Sequence, residues 1–214
     1  MAGFKLNERA FAITVVRILL GVQSLISGLN WWVKLLPFPN INEAVGPTKH
    51  EILRVMVESG WMFTTTKALE VIVGLALLLN RHAVLALVLA FPIMLMTFLL
   101  DLFPLLRDLG PFLGGEVSGA ALWARVLDML FFGAGVFVMQ AYLMSEWFGD
   151  YRSLFVVRPG GTAAGWSGVF EARWLKLTLR WLSYTVGAIS TVWIVGMALG
   201  VIPWSSLALL APPR

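Results

Sequence analysis

The chain has 214 residues, 59% of them apolar and only 13% charged, with a mean hydropathy of +0.83 and a formal charge of +4. These proportions exclude an ordinary soluble domain, where about half the residues are apolar and about a quarter are charged. The length accommodates five spans of roughly 20 residues each, with no room for a second soluble domain. The absence of Cys removes disulfide relay, thiolate catalysis, thiolate metal sites and covalent haem attachment. The small basic excess is what cytoplasmic loops of a membrane chain collect, and it lends nucleic-acid binding no support.

In chain order, the first span is predicted from about Phe11 to Trp32, preceded by Lys5 and Arg9. Arg17 and Gln23 interrupt its apolar run and no small-x-small cleavage site follows, so it reads as an uncleaved span rather than a signal peptide. Trp31 and Trp32 mark its far interface. After Pro37 and Pro39, the polar and helix-compatible run Thr48 to Glu58 is expected to lie along the membrane surface. A second span from about Trp61 to Leu79 stops at Asn80, Arg81 and His82, a turn short enough to force the third span back antiparallel.

The third span is predicted from Ala83 to about Phe103, with Pro92 as a kink and Asp101 at its far end. Leu105 to Gly119 reads as a loop, and the fourth span runs from about Ala120 to Met144. Ser145 to Lys176 is the longest polar connection, and Trp166 to Trp181 alternates aromatic and basic residues as an interfacial helix would. A fifth span from about Leu177 to Ile202 sits in the charge-free stretch after Arg180. The expected fold is therefore all-α, a polytopic membrane helix bundle. It has a four-span unit at 1–145, and a basic interfacial connection plus fifth transmembrane helix at 146–214. Lys and Arg outside the spans favour the side holding the N-terminus, which places that terminus in the cytoplasm.

The charges inside the spans are the main functional clue, because a charged side chain at the bilayer centre costs about 2.5–3.5 kcal/mol on insertion scales and must pair or line a polar cavity. Arg17, Gly21, Ser24 and Gly28 share one face of the first span; Lys67, Glu70 and Gly74 share one face of the second; Arg125 and Asp128 lie three apart in the fourth. Small residues on such faces let backbones approach closely. Alternating span directions predict an Arg17–Glu70 contact and a separate cluster of Lys67, Arg125, Asp128 and Asp101 nearer the outer side. Two readings stand open for this layer: ion pairs that hold the helices in register, or a polar pocket formed by Arg17, Lys67, Glu70, Arg125 and Asp128 that takes a quinone or lipid head group.

Other features carry less. His50 and His82 fall between spans without metal-ligand spacing, so no metal site is expected. Most of the ten Trp residues fall near predicted interfaces. Gly196 and Gly200 form a GxxxG in the fifth span, and Ser183 with Gly187 forms a further small pair, so this helix is expected to pack tightly on the bundle or on a membrane-protein partner or second copy.

Arg17-Ile-Leu-Leu-Gly21 with Ser27-Gly28-Leu29-Asn30, Lys67-Ala-Leu-Glu70-Val-Ile-Val-Gly74 running to Leu79-Asn80-Arg81, and Ala90-Phe91-Pro92-Ile93 together resemble the DoxX-type membrane proteins over roughly residues 11 to 145. The extension after residue 145 departs from the short family pattern, and Leu100-Asp101-Leu102-Phe103 stands where relatives often place a His. The resemblance implies a four-helix bundle in the bacterial inner membrane with Arg17 and Glu70 at matching core positions. It also implies an association with redox or oxidative-stress complexes, the family being named from a thiosulfate:quinone oxidoreductase subunit. The expected function is an integral-membrane accessory or assembly subunit of a redox or energy-conversion complex, with no intrinsic cofactor. The alternative is a quinone- or lipid-binding oxidoreductase component, and a small transporter is a third reading for which no inverted repeat is visible.

Overall fold

A computed structural model of the chain describes residues 8–36, 47–151 and 172–202, and every regular element among them is a helix. In order these are α1 (Glu8–Val33), α2 (Pro47–Glu58), α3 (Met62–Leu78), α4 (Ala83–Leu113), α5 (Gly119–Asp128), a π-helical segment (Met129–Ala134), α6 (Gly135–Glu146), the single turn α7 (Phe148–Tyr151) and α8 (Arg173–Ala198). Helices α1, α4 and α8 are each long and apolar enough to cross a membrane. The pair α2 and α3, bent by 97° at the Ser59–Gly60 corner, makes a fourth if counted together. The bend turns α2 across the axis of α3. Gly60 takes φ +76° at the corner, and the Ser59 hydroxyl accepts from the Met62 amide while donating to the Met56 carbonyl.

The turn from α3 to α4 is the three-residue polar stop read from the sequence. Asn80 and His82 both adopt left-handed φ values, 53° and 55°, a region in which Asn and His are enriched among non-glycine residues. The two helices then run back antiparallel. Seam packing follows the small-residue stripes: α1 and α3 make the most extensive contact in the bundle. A Cβ on Gly28 would lie 2.8 Å from the Lys67 carbonyl oxygen and one on Gly74 would lie 2.7 Å from the Leu25 amide nitrogen. Only glycine permits that approach. Beside the seam, Val16 and Leu20 of α1, Leu77 of α3, Leu87 of α4, and Met139 and Leu143 of α6 meet in one dry core.

Three expectations need correction. The stretch from Leu105 is helix, not loop: α4 continues to Leu113 through Pro104 and Pro111, because Leu105 stays buried and the apolar spacing persists until Gly114 and Gly115, the latter at φ +81°. Proline removes a single ladder bond and is tolerated in apolar surroundings. The fourth predicted span is broken by the π-helical segment between α5 and α6. The fifth begins at Arg173, so the basic and aromatic run up to Trp181 forms its first turns rather than a separate interfacial helix; residues 166–171 of that run lie outside the described residues.

Helix α8 belongs to the bundle, packing on α6 and α1. The two N–H donors of the buried Gln23 amide on α1 are shared among the Ser190 hydroxyl (2.7 Å), the Thr191 hydroxyl (2.7 Å) and the Gly187 carbonyl (3.2 Å). Met139 closes on Gly187, so the Ser183–Gly187 pair serves internal packing. Gly196 and Gly200 do not share a helical face. Ile202 of the same chain folds over Gly196, and Gly200 lies past the helix end at φ +71°, where the amides of Val201 and Ile202 both return to the Gly196 carbonyl.

Candidate functional site

The intramembrane charges separate into contacts at different levels. At the end of the bundle that carries the start of α1, the Arg9 Nε donates to Glu146 Oε2 at 2.6 Å and its Nη2 donates to the Glu146 carbonyl at 3.0 Å, joining α1 to the end of α6. Two turns deeper, Arg17 Nη1 donates to the carbonyl oxygens of Leu77 and, at 3.3 Å, Leu78. These are last-turn carbonyls of α3 at the negative end of the helix dipole, the Leu77 oxygen also accepting from the Asn80 amide at 3.2 Å, so a guanidinium there adds hydrogen bonds and complements the field.

The expected Arg17–Glu70 contact does not form, and the seam explains why. Its antiparallel register sets Gly28 against Lys67 and Val71, and Gly21 against Gly74 and Leu78. Continued by one turn, the same register brings Arg17 to the end of α3 and leaves Glu70 near Ser27. There Lys67 Nζ donates to Glu70 Oε2 (2.9 Å), Glu70 Oε1 (3.1 Å) and Ser27 Oγ (3.0 Å), and it lies 5.4 Å from the centre of the Phe63 ring. Glu70 is thus neutralised within its own helix, at a spacing of three residues.

The expected outer cluster of Lys67, Arg125, Asp128 and Asp101 is also divided. Lys67 belongs to the α1–α3 seam, whereas Asp101 of α4 pairs with Lys49 of α2 at 2.5 Å. Their side chains keep only 8% (Lys49) and 1% (Asp101) of their exposure. Arg125 and Asp128 lie in the last turn of α5, next to the π-helical segment, and their side chains fall outside the described residues. Asp101 fits into the space left by Gly133: a Cβ there would overlap its carboxylate oxygen. The wider π turn and the missing side chain together make room for a buried carboxylate.

Sequence reasoning missed Lys49. It was assigned to a surface helix, and only the 97° corner turns the first turn of α2 over the end of α4. Gln140 of α6 was missed too; its amide donates to the Leu87 carbonyl at 2.6 Å, one turn before Pro92. For Gln140 the signal available was polarity at a helical position otherwise surrounded by apolar residues, whereas Lys49, flanked by Thr48, His50 and Glu51, carried none. Chemically the layer offers two fixed ion pairs and a capped helix end. The Lys67–Glu70 pair is the more accessible, with 11% and 14% side-chain exposure. Comparison of the chain with protein-family models, with curated proteins and with solved structures found no match in any of the three.

Proposed function

We propose that this protein is an integral-membrane accessory or assembly subunit of a bacterial redox or energy-conversion complex. In this reading the chain sits in the inner membrane with its N-terminus in the cytoplasm, and a DoxX-like core is extended by α8. One observation carries the reading: each described charge inside the seam and core has a partner of its own, Arg17 on the α3 carbonyls, Lys67 on Glu70 and Lys49 on Asp101. Charges so matched hold helices in register and need no substrate to complete them. Docking then falls to apolar outer faces such as that of α8, where Ile189 and Val192 are exposed.

Gentle purification of the tagged protein in native detergent, followed by mass spectrometry of everything that copurifies, tests this. Stoichiometric membrane-protein partners support the reading. A lone protein carrying quinone, or a lipid held at Lys67 and Glu70, overturns it in favour of the second reading, a quinone- or lipid-binding oxidoreductase component. That alternative draws on the residual access to Lys67 and Glu70. Under it, Glu70→Gln folds normally but loses the bound molecule; unchanged binding sinks it.

A further inference from the structure

Three cations line the start of α8, and two of them, Arg173 and Lys176, stand in the first turn, where a helix disfavours them. Positions 173, 176 and 180 are spaced by three and four, so Arg173, Lys176 and Arg180 form one stripe along the first two turns. A helix N-terminus presents amide groups without partners and a positive partial charge, which acidic residues normally offset. Here the cap residue Ala172 makes no side-chain hydrogen bond and the first turn holds no acid.

Of the other described cations, Arg9, Lys49, Arg54, Lys67 and Arg107 each pair with Glu or Asp and Arg17 binds the α3 carbonyls, while Lys34 and Arg81 make no ion pair but are single charges in turns. Among the described residues, Arg173, Lys176 and Arg180 form no ion pair and no side-chain hydrogen bond. The Nε of Arg180 is nevertheless buried without a partner. It lies within electrostatic reach of the Tyr142 hydroxyl on α6 and the Tyr184 hydroxyl on α8, which Glu146, already held by Arg9, and Glu8 also reach. A positive helix end, three cations and an unmet buried donor therefore converge on one rim.

The depth of this rim identifies the anion. Helix α8 has 26 residues, about 39 Å at 1.5 Å per residue, against a hydrocarbon core of about 30 Å. The excess of about 9 Å matches the two turns from Arg173 to Arg180, which therefore lie at head-group level. Trp174 and Trp181, exposed at 67% and 66%, flank the stripe seven residues apart, and Trp181 meets Tyr184 edge to face at 6.0 Å. Exposed Trp at such a level marks the membrane–water interface.

We propose that the α8 rim, with Arg180 at its floor and Arg173 and Lys176 above, binds the phosphodiester head group of an anionic phospholipid. The inference is independent of the accessory-subunit reading, since it concerns the lipid annulus and not a protein partner. Native mass spectrometry of the full-length protein in detergent, with equimolar phosphatidylglycerol and phosphatidylcholine added, tests it. Wild type should retain phosphatidylglycerol in preference. The double variant Arg173→Gln/Lys176→Gln, which changes the two outermost cations of the stripe, should weaken that retention by roughly 30-fold, and adding Arg180→Gln should weaken it beyond about 100-fold. The control Arg54→Gln/Arg107→Gln, at the opposite end of the bundle, should retain the lipid as wild type does. Equal retention of the two lipids by wild type, or equal loss in the control, overturns the assignment.

Discussion

The α1–α3 seam and the corner where α2, α4 and the π segment meet solve the same problem in opposite ways. In the seam, glycines bring two backbones together, and Lys67 finds its counter-ion three residues away on its own helix. In the corner, Lys49 and Asp101 are 52 positions apart and meet only because a sharp bend and a widened turn let them. Local solutions tolerate perturbation; a contact assembled from three distant elements does not. The corner is therefore where loss of one charge is expected to do most damage.

The largest expected effect comes from Lys49→Met. Removing one partner from a buried ion pair typically costs about 3–5 kcal/mol because the other charge remains uncompensated, while replacing both by apolar residues is often near neutral. Unfolding by sodium dodecyl sulfate, followed by circular dichroism, should show a large loss for Lys49→Met and substantial recovery in Lys49→Met/Asp101→Leu. A Lys49→Met variant within about 0.5 kcal/mol of wild type, the range of an ordinary surface change, would dissolve the distinction between corner and seam.

The seam is tested by Gly74→Ala. The added methyl meets backbone atoms of Leu25 and Gly21 at 2.7–2.9 Å, which cannot move without shifting α1, so about 1–3 kcal/mol is expected. Gly133→Ala probes the corner in the same way, but its obstacle is the Asp101 carboxylate. A side-chain end can swing aside once its anchor is gone. Gly133→Ala should therefore cost much less in the Lys49→Met background than in wild type, whereas Gly74→Ala should cost the same in both, and a double-mutant cycle measures the difference.

The contrast also explains what was legible in the sequence. The stripe of Gly21 and Gly28 against Gly74 was readable because one helical period places all of them, and the Asn80–His82 turn was readable because three polar residues interrupt two apolar runs. The partner of Asp101 was not: nothing in the local pattern around Lys49 encodes the bend at Ser59–Gly60. Arg17 was identified correctly as an inward charge but given the wrong partner, because helix-end carbonyls carry no residue label and only the seam register shows that they lie opposite. The π turn escaped for a related reason, as Met129–Ala134 is apolar and helix-compatible throughout.

A smaller effect separates the seam from its neighbour α8. Gln23→Leu keeps the volume of the side chain but removes both amide N–H donors that serve the three acceptors on α8, and interhelical hydrogen bonds in membranes average about 0.6 kcal/mol each. A loss of about 1–2 kcal/mol is expected, with α1 and α3 still paired. Cross-linking by a short bifunctional reagent between cysteines introduced at Ser27 and Val71, which face each other across the seam without replacing its glycines, in a chain that has no cysteine of its own, should persist in this variant while thermal stability falls. Loss of the cross-link together with stability would mean that the seam depends on α8 and does not stand by itself.

The smallest effect tests how α4 is held at the end opposite Asp101. Tyr151, just after α6, donates its hydroxyl to the Val84 carbonyl at 3.2 Å, and burial, with the nearby Asp150 charge, pushes its phenol up to about 12 from an ordinary value near 10. The sign follows from proton binding. Between about pH 10 and 12 the unfolded chain has lost this proton and the folded chain retains it, so stability is unaffected below that window and declines as pH rises through it. Absorbance at 295 nm should show Tyr151 titrating late, identified by comparison with Tyr151→Phe. The same variant should flatten the alkaline decline and cost about 1 kcal/mol at neutral pH for the lost hydrogen bond. If Tyr151→Phe left both the titration and the alkaline decline unchanged, α4 would not be held through Tyr151 at this end, and the contrast between the corner and the rest of the bundle would be sharper still.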